Sequence, residues 1–143
     1  MKRILLLLVL IVLIAGGWYA YKLYTGKVPS LTEVETDASV TAVDLVAAFE
    51  KDSASANQKY LGKILAVNGT VKSIEGGGVT VVLGDANSSS SVRCSIDSSF
   101  VATAAALNAG STITVKGACT GFMPDETGLG LGSDVVLNRC VLN

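Results

Sequence analysis

The chain contains no histidine, which removes the usual general base at neutral pH and the commonest metal ligand. Many enzyme classes lose a customary residue with it. Three cysteines, Cys94, Cys119 and Cys140, are too far apart in sequence to form the paired spacing of zinc or redox motifs. We therefore expect no metal, no cofactor and no catalytic residues. Proline is nearly absent, with Pro29 and Pro124 alone, and there is a single tryptophan. Basic residues are scarce beyond the first 27 positions: from Val28 onward Lys51, Lys59, Lys63, Lys72, Arg93, Lys116 and Arg139 stand against all 12 acids. An acidic domain with no cluster of Lys and Arg is a poor match to a phosphate backbone.

What is present begins with Lys2 and Arg3, followed by an uncharged run from Ile4 to Tyr21. As a helix, at about 1.5 Å per residue, it covers roughly 27 Å, enough to cross a bilayer. Trp18, Tyr19, Tyr21 and Tyr24 cluster at its far end like an interfacial belt. We read 1–3 as a cytoplasmic N-terminus, 4–21 as a transmembrane signal-anchor helix, 22–40 as a polar tether and 41–143 as an extracytoplasmic domain, facing the periplasm from the inner membrane. The alternative is a signal peptide, cleaved near Ala15-Gly16-Gly17, and export.

Thr41 and Asp44 have the form of a helix cap, and Leu45, Val46 and Phe49 form the apolar face of the helix that follows. Asp52 and Ser53 start a second helix leading to Tyr60, which is expected to pack this helical collar on the domain. Then come five strand patterns. A long one runs through Tyr60 to Ile74, turning at Gly76-Gly77-Gly78 into Val79 to Leu83. A flexible polar tip over Gly84 to Ser91 leads to Val92 to Ile96. Ser98 and Ser99 read as the cap of a short helix, Phe100 to Leu107, before Ile113 to Cys119 with odd positions inward. Finally, after a long loop from Phe122 to Gly132, comes Asp134 to Leu142. Gly69 lies where the first strand must bend or bulge, so Gly69→Val is expected to unfold the domain.

Five strands with a helix between the third and fourth follow the order of the OB-fold, a Greek-key barrel. The class is thus mainly β: a five-stranded OB-fold with an N-terminal helical collar, preceded by the transmembrane helix. The segments Ala56-Asn57-Gln58-Lys59-Tyr60-Leu61-Gly62-Lys63, Val67 with Gly69 and Val71, Val92-Arg93-Cys94, Val115-Lys116-Gly117 with Cys119-Thr120-Gly121, and Asp134-Val135-Val136-Leu137-Asn138 with Cys140 occur in that order. In this the chain resembles the tRNA_anti-like family. The resemblance implies a small OB-fold domain behind a membrane segment or export signal, of the kind common in Bacteroidota.

OB-folds bind along their second and third strands, flanked by loops. The residues available there and at the adjoining loop are Lys72, Arg93, Lys116, Phe122 and Met123, without the aromatic platforms of single-strand binders. The expected function is a non-enzymatic module binding an envelope protein, peptide or glycan, with single-stranded nucleic acid or nucleotide binding as the alternative. Phe122 has a second reading as a plug in one end of the barrel. Gly128-Leu129-Gly130-Leu131-Gly132 leads into a strand, unlike a phosphate-binding loop. Among the cysteines, Cys119 and Cys140 fall about three residues out of register across the last two strands, an offset near 10 Å that only a bulge would close. Cys94 with Cys140, on neighbouring strands, is the favoured disulfide; three buried thiols are the alternative.

Overall fold

The computed structural model describes residues 12–21, 31 and 33–143. Residues 12–21 are helical and exposed. Among the described residues no helix is long and apolar enough to cross a membrane. The expected span begins at residue 4, so its first part, 4–11, lies outside the described residues, as do 1–3 and the tether positions 22–30 and 32.

The tether reading ends too late. Residues 38–41 form a strand, β1 (Ala38–Thr41), which pairs in parallel with the start of β2 (Ile64–Glu75). Asp37 reinforces the join: its backbone N–H donates to Ile64 O, and its carboxylate accepts from Ile64 N, both at 2.8 Å. Two helices separate these strands, α1 (Ala42–Lys51) and α2 (Ser53–Tyr60). Their ends follow from side-chain caps. Thr41 Oγ1 accepts from Asp44 N, and Asp52 Oδ1 accepts from Ser55 N, each satisfying an N–H that has no partner within the helix.

The barrel is closed by β2, β3 (Thr80–Leu83), β4 (Ser91–Ile96), β5 (Thr112–Met123) and β6 (Asp134–Leu142), with β2 pairing both β3 and β5. The pairing of β4 with β6 is parallel and the other barrel pairings are antiparallel. Alternation places Leu65, Val67 and Val71, Val81 and Leu83, Val92 and Cys94, Val115 and Cys119, and Val135 and Leu137 inside. The expected five-stranded barrel, with a helix between its third and fourth strands, is what forms. That helix, α3 (Val101–Ala105), is shorter than expected and has no side-chain cap; instead the Asp97 carboxylate accepts from Ser99 N and Oγ.

Gly69 does not mark the bend. The β2–β5 register runs unbroken through Gly69 and Ile113, and inward alternation persists to Val71. The irregularity falls between Val71 and Ser73, where Lys72 is the extra residue and Ile74 becomes the next to pair with an inward residue, Val81. Gly69 instead lies under the first turn of α1. A Cβ at that position would stand 2.8 Å from Ala42 Cβ and 3.3 Å from Leu83 Cβ, so its bare backbone lets the collar seat against the barrel.

Candidate functional site

The outward face of β3 and β4 consists of Thr80, Val82, Arg93 and Ser95, with Val82 opposite Arg93 and Thr80 opposite Ser95. No aromatic side chain lies on it. Arg93 is committed to an ion pair with Glu75 at the end of β2. Lys72 lies over Gly84, and its Nζ donates to Ser88 O at 2.6 Å and Ser90 O at 3.4 Å. Lys116 is on β5, between Ala66 and Val141. The three cations expected to share a ligand face are therefore distributed around the barrel, and two of them hold structure together.

Phe122 and Met123 are consecutive on β5 and part company. Phe122 stacks on Phe49 of α1, with ring centroids 5.0 Å apart, and Phe49 meets Tyr60 of α2 at 6.1 Å. Lys59 Nζ is 4.9 Å from the Tyr60 ring centroid. This row of three rings joins the collar to the barrel, with Phe122 at its barrel end. Met123 is 61% exposed and belongs to the rim beyond it.

That rim is the loop 124–133, which extends the binding lip expected at Phe122 and Met123 on through Leu131. Asp125 organises it. Its carboxylate accepts from Thr127 Oγ1, Thr127 N and Leu131 N, and those bonds, led by the Thr127 hydroxyl, hold the group below its ordinary value of 3.8. Gly128, Gly130 and Gly132 take φ of 63°, 74° and 87°, conformations that side chains resist. The leucines between them are turned outward, Leu129 76% and Leu131 70% exposed. With Phe122, Met123, Pro124, Glu126 and Asp134 the loop borders an open hollow of about 520 Å³. A signal was present in the sequence: two leucines isolated among glycines, after two acids, in a loop with no core to fill.

The serine-rich tip, read as flexible, is a buckle. Ser90 Oγ donates to Glu50 of α1 at 2.6 Å and accepts from Ser133 N at 3.0 Å, while Ser91 N donates to Ser133 O and Ser91 Oγ to Asp134. Gly132 abuts it, since a Cβ there would stand 2.3 Å from the Ser89 carbonyl carbon. The rim is thus braced from the collar side by defined bonds.

Cys94, Cys119 and Cys140 are buried free thiols. A hydrogen bond with the Cys140 thiol and burial push Cys94 well above the ordinary thiol value, and burial pushes Cys119 up. Among the described residues no cluster of acids and cysteines could hold a metal ion.

Two solved structures are similar to this chain to different degrees. A protein described as a "putative nucleic acid-binding lipoprotein" from Klebsiella pneumoniae subsp. pneumoniae MGH 78578 superposes with a TM-score of 0.52 at 23% identity, covering 73% of this chain and 91% of that one. A "putative aspartyl-tRNA synthetase" from Leishmania major Friedlin gives 0.44 at 11% identity, covering 80% of this chain and 22% of that one. No curated protein sequence matches. The tRNA_anti-like family model matches residues 1–140, nearly the whole sequence. With the barrel, its strand order and this match agreeing, the chain belongs to the tRNA_anti-like family.

Proposed function

We propose that this protein is a non-enzymatic OB-fold binding module, tethered by its N-terminal apolar segment to the extracytoplasmic face of the membrane, that takes a polypeptide partner at the 124–133 rim. The observation that carries this reading is the division of labour among the candidate residues. Two of the three barrel cations, Arg93 and Lys72, are engaged by Glu75 and by loop carbonyls, whereas Met123 and Leu131 project beside Asp125 and Glu126 around an open hollow and Leu129 is exposed on the same loop. Such a rim suits a segment that offers an apolar side chain to the hollow and basic side chains to the acids. The two raised thiols are protonated at neutral pH and lack the thiolate that nucleophilic chemistry requires, which supports a binding role.

The second reading is single-stranded nucleic acid or nucleotide binding through the β3–β4 face, favoured by the description of the Klebsiella protein. The two are separated by placing a photo-crosslinking residue at Leu131 or, for comparison, at Ser95. A polypeptide adduct from Leu131 and none from Ser95 supports the rim. Oligonucleotide binding that weakens steeply with salt, and that is abolished by Arg93→Ala, would replace it with the face. Fractionation tests the tether: the full-length chain is expected in the membrane pellet, and its recovery in the soluble fraction would refute membrane attachment.

A further inference from the structure

Inside the barrel, the backbone is shaped around one pair of thiols. On β6, simple alternation from Val135 and Leu137 would carry Arg139 inward and leave Cys140 outside. Instead Arg139 adopts φ 55°, and the pairing with both neighbours slips: Cys94 faces Leu137 while Ile96 faces Cys140, and Ala118 faces Asn138 while Lys116 faces Val141. The extra residue returns Cys140 to the interior with no exposed surface. On β5, Gly117 leaves the space this thiol fills, since a Cβ there would stand 2.5 Å from Cys140 Sγ. On β4, Cys94 also has no exposed surface, and the neighbouring Cys140 thiol is the first cause that pushes its value up. Cys119 lies across from Leu137. A bulge and a missing side chain thus combine to turn the Cys140 sulfur into the interior, on the strand that pairs with that of the buried Cys94.

We propose that Cys94 and Cys140 are a disulfide-forming site, closed by exchange with a disulfide donor as the barrel folds, and that the bond staples β4 to β6. One cysteine thiolate attacks the donor's disulfide, forms a mixed disulfide and expels a donor thiolate. The second cysteine thiolate attacks the protein sulfur of that mixed disulfide and expels the other donor thiolate. The cysteines lose two protons and two electrons, and the donor becomes two thiols. Because both sulfurs are enclosed in the finished barrel, exchange belongs to folding, and the completed bond is shielded from reductants.

The sequence permits a direct test. Trypsin cleaves after Arg93, Lys116 and Arg139, which separates the three cysteines into three peptides. The full-length chain is refolded from denaturant in detergent with oxidised glutathione, alkylated and digested without reduction. The expected product is one linked species joining the Cys94 and Cys140 peptides, lighter by two hydrogens than their sum, with Cys119 alone alkylated. The link is expected to survive Cys119→Ser, and the oxidised protein to melt several degrees above the reduced one. Three alkylated cysteines, a link through Cys119, or an unchanged melting temperature would overturn the proposal.

Discussion

Two glycines with ordinary backbone angles show how much this fold depends on absent side chains. At Gly117 the space is taken by the Cys140 sulfur, and at Gly69 by the first residue of α1. Gly117→Ala is expected to destabilise the domain by about 1 to 3 kcal/mol through overpacking. Removing the sulfur should recover part of that loss. In urea denaturation, Gly117→Ala combined with Cys140→Ala is expected to cost less than the sum of the single changes, by roughly 0.5 to 3 kcal/mol of coupling. Additive costs would show that the two positions do not share space. Gly69→Val is expected to lower the melting temperature more than Gly69→Ala, because each added carbon presses on Ala42 and Leu83. The sequence marked Gly69 as irreplaceable but for the wrong reason. A helix packing across a strand leaves no local pattern, whereas the bulge at Lys72 does, in the three-residue step from Val71 to Ile74.

At the scale of elements, side-chain carboxylates carry an outsized share of the organisation. Asp52 caps α2 through Ser55, and Asp125 holds the rim through Thr127 and Leu131. Hydrogen bonds, chiefly from the Ser55 and Thr127 hydroxyls, lower both groups from an ordinary 3.8. A carboxylate lowered in the folded state stabilises it above the ordinary value, and the contribution is lost as pH falls through the folded value. Acidification below about pH 4 is therefore expected to loosen the α1–α2 junction and the rim before the barrel. Amide exchange checks this: Ser55 and Leu131 should lose protection at higher pH than Val67 or Leu137, and simultaneous loss would contradict it. The helical caps were legible because Thr41, Asp44 and Asp52 act within three residues of themselves. The serine buckle was not, because Glu50, Ser90 and Ser133 meet only after the chain has folded.

For the whole molecule, alternating valines, leucines and cysteines made the barrel readable, and with it the strand order that parallel pairing of β4 and β6 completes. The distribution of charge was readable only as composition. That Arg93 and Lys72 are engaged within the fold, and that exposed apolar surface gathers on the 124–133 loop, depend on which residues the closed barrel brings together. β1 escaped notice for a related reason, since Ala38-Ser39-Val40-Thr41 is too short and too polar to announce a strand. Its position has a practical consequence. β1 lies along the flank of β2 opposite β5, over Leu65 to Asn68, so it shields backbone donors and acceptors that would otherwise form an open sheet edge. A protein trimmed to begin at Ala42 would keep every barrel strand and both collar helices, yet expose that edge to a second copy. It is expected to self-associate with rising concentration in size-exclusion chromatography, while a protein beginning at Glu33 stays monomeric. The four-residue strand is then a guard against edge-to-edge aggregation, and the smallest well-behaved domain starts several residues before its first helix.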